Sequence, residues 1–424
     1  MKLKSHHFFL LIIVAIPIVV RTIFATTYHG FDVGTFEKWI PSTTPFYAVY
    51  STDCYCNYPI IGLFLSTGAL KLAGSFFLFF LYLALFESIN ALLFYRLLGF
   101  LNIQNKWIYT LLFVLLPSTL SGGALWGQID HIGLTFLLIL LILLARIYQN
   151  NKLKQTTSRW YYLSIGGMFY LAIFTKQLLV FPLFPIGIAI LLILYSRKNI
   201  KESMYLSLIM LAGFLVPFMA FETWLSYPET YRFTHYQRIL ETGSDHMDII
   251  SGNGITIWQL FFQNLEAPST GEIVAFLSPK LIGLGLTFFL SAWLFFSYIK
   301  LSFRTESVAF QLGLLCLIIA VFNLTFNLFL TGTHERYLFY FYPFLILAFL
   351  GLRNLPDLFK KYDLALFFIG SIGYGLFVLA ILKGWLKVDN MHVNTAYHKM
   401  ITITHLLIFI RLVFIIRKIR TYKV

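Results

Sequence analysis

Hydrophobic residues run along this chain in stretches close to the roughly 20 residues that a helix needs to cross a bilayer core. Polar residues gather in the short intervals between them. Nothing alternates at period two, as a membrane barrel would. The first apolar run, Phe8 to Val20, follows Lys2 and Lys4 as a signal peptide would. No convincing small-residue cleavage site comes after it and many further spans do, so it predicts an uncleaved helix with its N-terminus inside. Pro59 to Leu72 is shorter and interrupted by Gly62 and Gly68. It reads either as a membrane-surface helix or as a full span, and the choice reverses the orientation of everything after it.

Charge decides that choice. If residues 59–72 lie at the outer surface, spans follow near 76–97, 107–122, 128–147, 160–175, 177–196, 203–225, 274–299, 307–330, 336–352, 363–383 and 401–416. About 20 of the 32 basic residues then fall inside, among them Arg146, Lys152, Lys154, Arg159, Arg197, Lys198, Arg304, Lys360, Lys361 and the tail from Arg417 to Lys423. That is the positive-inside pattern. The expectation is an all-α, polytopic transmembrane helical bundle of about twelve spans, with both termini cytoplasmic. It forms a single domain over 1–424, with a first outer loop at 26–75 carrying surface helices and a large outer loop at 226–272; no internal repeat is visible.

Composition supports the class. The 424 residues are 59% hydrophobic and only 12% charged, against about 25% charged in a soluble domain. A formal charge of +14 would suggest nucleic acid in a soluble protein, but here it sits in loops facing anionic lipid. No nucleic-acid partner is expected. Three cysteines make neither a zinc set nor a disulfide framework, and Cys54 and Cys56 are too close for an unstrained bridge. The acidic residues show the opposite bias: Asp32, Glu37, Asp53, Asp130, Glu222, Glu229, Glu241, Asp245, Asp248, Glu266, Glu272, Glu335 and Asp389 all fall on or near the outer face. A polar, acid-rich outer cavity follows from that placement.

Four outer constellations carry candidate chemistry. In Thr27 to Trp39, Asp32 follows the first span between Gly30 and Gly34, and reads either as a catalytic base or as a solvated loop carboxylate. Asn57-Tyr58-Pro59 comes next. In Trp126-Gly127-Gln128-Ile129-Asp130-His131, Asp130 enters the first turn of a helix, where the dipole favours an anion; cap and substrate ligand are both open. Lys176, in Thr175-Lys176-Gln177, either snorkels to the headgroups or meets a substrate. Last, His334-Glu335-Arg336-Tyr337 puts three ionisable side chains at the mouth of a hydrophobic span, which solvation alone does not explain.

Asp32, Tyr58-Pro59, Trp126 to Asp130, Lys176-Gln177, Asn253 to Trp258 and His334 to Tyr337 with Pro343 stand in the order found in integral-membrane GT-C glycosyltransferases. From about residue 20 to 350 the chain resembles bacterial relatives of the glycolipid-anchor mannosyltransferases and, through its His-Glu-basic motif, the dolichyl-phosphate-glucose glucosyltransferases of the endoplasmic reticulum. It departs from the family's frequent Tyr-Pro-Pro and Lys-Pro at Tyr58-Pro59-Ile60 and Lys176-Gln177. The resemblance implies inverting transfer of one hexose from a polyprenyl-phosphate donor to a lipid-linked glycan or polysaccharide acceptor on the outer face, with no cofactor and usually no metal. It implies Asp32 as base and His334, Arg336 and Lys176 near the donor phosphate. Asp130, Gln128, Glu335, Tyr58 and Trp258 are expected to line the substrate site. Tyr231, Arg232, His235, Arg238, Asp245, His246 and Asp248 read equally as an acceptor site and as an ordinary loop. The alternative is a lipid-linked glycan flippase or other transporter, for which Glu87, beside Ser88 and Asn90, is the one acidic residue deep in a span.

Overall fold

The computed structural model describes residues 2–24, 31–40, 49–50, 56, 58–196, 199–225, 236–237, 239–241, 248–271, 277–304, 307–355, 357–383 and 395–422. Among these, regular structure is helical throughout, with isolated bridges but no strand. Eight helices among the described residues are long and apolar enough to cross a membrane, so the chain is a multi-pass helical membrane protein. The described residues form two compact units: Met1–Val114 with Gly123–Thr242, and Leu115–Gly122 with Gly243–Val424.

The first unit contains α1 (Lys2–Phe24), α2 (Phe31–Trp39), α3 (Ile60–Ala73), α4 (Phe76–Phe100), α5 (Lys106–Leu115), α6 (Asp130–Lys152), α7 (Arg159–Thr175), α8 (Gln177–Tyr195) and α9 (Ile200–Leu225). α3 carries a π turn at Phe64–Gly68. Over residues 60–73 it reaches about 21 Å at 1.5 Å per residue, short of a core of about 30 Å. Its first turn is wholly buried, with Gly62 against the Thr175 carbonyl at the end of α7. That part of the first loop is packed into protein rather than laid on lipid. Gly74, at φ 67°, ends α3 in the left-handed region, and the Ser75 hydroxyl then accepts from the Leu78 amide to start α4.

Where the pattern predicts one span at 107–122, the helix stops at Leu115. Leu116 is extended ahead of Pro117, as the ring of a following proline favours, and the helix resumes at once as Pro117–Thr119 running into a π turn at Leu120–Leu125, so residue 116 breaks the predicted span without ending it. α6 is largely enclosed, whereas α9, equally apolar, has only 11% of its spanning window buried. Leu208, Leu211, Leu215, Val216 and Met219 on α9 are exposed. An apolar face that long is stable only against lipid or protein.

The second unit contains α10 (Pro279–Ser302), α11 (Val308–Phe329), a 3-10 turn at Glu335–Tyr340 leading into α12 (Phe341–Gly351), α13 (Lys361–Leu382) and α14 (Ala396–Thr421). Ser278 caps α10 through the Leu281 amide, with Pro279 in the first helical position. α11 is the axis of this unit, its window 100% buried. Polar contacts tie the other helices together: Arg411 on α14 meets Asp363 on α13 at 2.5 and 3.0 Å. Tyr342 on α12 bonds the buried His405 on α14 at 2.8 Å. Cys56 and Cys316 are both buried and not in a disulfide.

Candidate active site

In the first unit the polar residues meet at the start of α6. Buried polar contacts fan out in two directions from consecutive residues there. Lys176 lies in an extended residue (φ −158°, ψ 130°) between α7 and the 3-10 turn that opens α8. That break in the helices aims its ammonium at Asp130, donating to Oδ1 at 2.9 Å and Oδ2 at 2.7 Å. Only 3% of Lys176 and 2% of Asp130 are exposed. Asp130 therefore does not cap α6, whose N-cap is Ile129 without a side-chain bond, and Lys176 does not snorkel. Each carries the charge that lets the other stay buried.

His131 turns the other way, its Nε2 3.2 Å from Glu87 Oε1 on α4. Arg21, fully buried on α1, donates to the same oxygen from Nε at 3.0 Å and Nη2 at 2.5 Å. Asn90 donates to the His131 carbonyl at 2.8 Å and accepts from Thr135 at 2.8 Å. The deep carboxylate that the sequence left unexplained is thus bound into a junction of α1, α4 and α6. Arg21 was not anticipated as a participant. Its place in the last turn of the first span, with a lone acidic residue deep in the next, was the signal available.

Ahead of Asp130, Gln128 is completely buried and its Oε1 accepts from the Tyr58 hydroxyl at 2.8 Å. The Tyr58 carbonyl accepts in turn from Tyr50 at 3.0 Å. Burial, with smaller contributions from Cys56 and Glu222, holds the Tyr50 phenol well above its ordinary value, so it remains a donor. Tyr58 also packs edge-on against Trp39, and Phe36 lies beside both. Val33, Phe36 and Trp39 are the buried stripe of α2, at helical spacing. Asp32 belongs to the first turn of that helix, but its side chain lies outside the described residues, as do His29, Asp53, Cys54, Asn57, Tyr231, Arg232, His235, Arg238, Asp245 and His246. Asp248 is described, and Lys280 donates to it at 2.5 Å.

In the second unit His334, Glu335 and Arg336 open the 3-10 turn that follows α11. Glu335 points inward, 2% exposed, and accepts from Arg336 Nη1 at 3.1 Å. His334 and Arg336 both contact Tyr337: the imidazole and phenol centroids are 5.1 Å apart, and the guanidinium carbon is 5.8 Å from the ring centre. All three are partly exposed while Thr331, Gly332, Thr333, Glu335 and Leu338 around them are buried. Trp258 is committed elsewhere. Its indole N–H donates to the Phe329 carbonyl at 2.8 Å and the side chain is 4% exposed, so it splints the end of α11 rather than facing an open site.

The chain therefore presents a partly open, aromatic-backed His334–Arg336 edge beside the buried Glu335 in one unit, and a buried ion-pair cluster at the start of α6 in the other. A scan against protein-family models finds no match to this chain, and neither does a search of the curated proteins.

Proposed function

We propose that this protein is an inverting glycosyltransferase of the GT-C type, moving one hexose from a polyprenyl-phosphate donor to a lipid-linked glycan or polysaccharide at the outer face of a cell membrane. The proposal includes twelve spans with both termini cytoplasmic. The observation that carries it is the pairing of His334 and Arg336 on the Tyr337 ring, partly open in otherwise buried surroundings. Two nitrogen-rich side chains held on one rigid platform suit a phosphate oxygen.

In the reaction, the Asp32 carboxylate accepts the proton of the acceptor hydroxyl as its oxygen bonds to the anomeric carbon. The bond from that carbon to the phosphate oxygen breaks on the opposite face. Its electron pair leaves with the polyprenyl phosphate, and Arg336 stabilises the charge that gathers there. Lys176 is paired with Asp130 and buried, whereas Arg336 keeps a partly open face beside its bond to Glu335, so the phosphate falls to His334 and Arg336. The Lys176 pair and the Tyr58–Gln128 bond stiffen the unit that bears α2. The flippase reading leaned on Glu87, whose carboxylate is taken up by Arg21.

Purified protein in detergent, with no sealed membrane, is expected to transfer sugar. Movement of the lipid-linked sugar across sealed vesicles without any transfer in detergent would establish the flippase instead. Arg336→Lys keeps the charge but not the planar fork, and is expected to raise the donor KM about tenfold. Unchanged donor dependence, at normal protein level, removes this motif from the phosphate site. Cysteines placed at Lys154 and Asp245 are expected to react with an impermeant reagent from opposite sides. Labelling of both from the cytoplasm defeats the twelve-span arrangement.

A further inference from the structure

We propose that residues 250–258 are the positioning element of His334, and that Gly252 is the seat of its imidazole; this rests on the donor-phosphate role given to His334 above. The segment is tied to the chain around His334 along its whole length. Gly252 and Gly254 both donate to the Thr333 carbonyl, at 2.9 and 2.8 Å, and Gly332 donates to the Ile250 carbonyl at 3.2 Å. Gly252 and Asn253 each form a bridge to His334. Asn253 permits this by taking φ 64°, a conformation asparagine tolerates better than most residues.

Side chains complete the wrap. Thr256 donates to the carbonyls of Leu328 and Leu330 at 3.0 and 3.2 Å, and Trp258 to that of Phe329. Gln259 donates to the Gly254 carbonyl at 2.5 Å and accepts from Thr402 on α14 at 2.8 Å. Within the nine residues 250–258, Ile250, Gly252, Gly254, Thr256 and Trp258 are all bonded to residues 328–333, more than a surface loop needs for its own backbone.

The imidazole lies across the bare Cα of Gly252. A Cβ built there would stand 2.5 Å from Cε1, 2.7 Å from Nδ1 and 3.0 Å from Nε2 of His334. The Tyr337 ring stands at 5.1 Å from the same imidazole. With the backbone pinned, any side chain at 252 must displace the ring or tear the wrap open. A displacement near 1 Å can cost a catalytic site about 100-fold.

The test uses full-length protein in detergent with 13C,15N-labelled histidine, the His334 imidazole signal being identified by its loss in His334→Ala. Gly252→Ala is expected to shift that signal, to leave those of the buried His398 and His405 in place, and to lower kcat/KM for the donor by roughly 10- to 100-fold. Gly285→Ala, at an open position on α10 where a Cβ meets nothing, is expected to leave it unmoved. An unmoved His334 signal in a folded Gly252→Ala protein overturns the proposal, as does an equal shift from Gly285→Ala. If Gly252→Ala does not fold, Trp258→Phe decides, since it removes the indole N–H anchor and keeps an aromatic side chain in its place: a moved signal supports the wrap and an unmoved one overturns it. A moved signal with unchanged transfer upholds the positioning and defeats the phosphate role instead.

Discussion

Asp32→Asn is expected to lower the rate of sugar transfer by roughly 100-fold or more while donor binding persists, the scale of losing a general base. Asparagine keeps the size and most of the hydrogen bonding of the side chain, but cannot take the acceptor's proton. α2 has its buried face at Val33, Phe36 and Trp39. The rival base, Asp130, has both oxygens engaged by Lys176. Transfer rate and donor affinity measured side by side for Asp32→Asn and Asp130→Asn decide the matter. An active Asp32→Asn enzyme beside an inactive but folded Asp130→Asn enzyme moves the chemistry to α6.

Lys176→Met is expected to destabilise the protein by about 3–5 kcal/mol, because it strands the buried Asp130 carboxylate without its cation. A helix cap in that position would have been worth only about 0.5–2 kcal/mol. The double variant Lys176→Met with Asp130→Leu is expected to recover most of the loss, since removing both charges also removes their desolvation cost. Denaturant unfolding in detergent, followed for the wild type, both single variants and the double, measures the coupling. Additive losses in the double variant would show that the pair does not hold the fold.

The same comparison separates two kinds of stability in the first unit. The Arg21–Glu87 contact joins the middle of one long helix, α4, to the last turn of another, α1, across 66 residues. Lys176–Asp130, 46 residues apart, joins helix ends rather than helix interiors. It fixes the start of α6 against the break between α7 and α8, and so sets the backbone that carries Gln128 to its bond with Tyr58.

The hydrophobic spacing by itself determined that this chain is a multi-pass helical membrane protein, because a backbone in hydrocarbon must satisfy its own hydrogen bonds and long apolar runs do so as helices. Composition likewise marked Asp130, Lys176 and the 334–337 stretch as exceptional, since charges at span ends are costly wherever they are not paired or functional. Only the tertiary structure decided what those charges do. Asp130 and Lys176 each had a local explanation, as cap and as snorkelling lysine, and nothing in either neighbourhood reveals that they neutralise each other across 46 residues. Nor could composition tell α11, enclosed on every side, from α9, bare along most of its length: in a membrane both faces are apolar, and the amphipathic stripe that marks the core side of a soluble helix is absent. Pro117 put a one-residue break into a span that hydropathy alone carries without interruption to residue 122, and the wrap of 250–258 around His334 was invisible because it is built mainly from backbone groups, which every residue possesses.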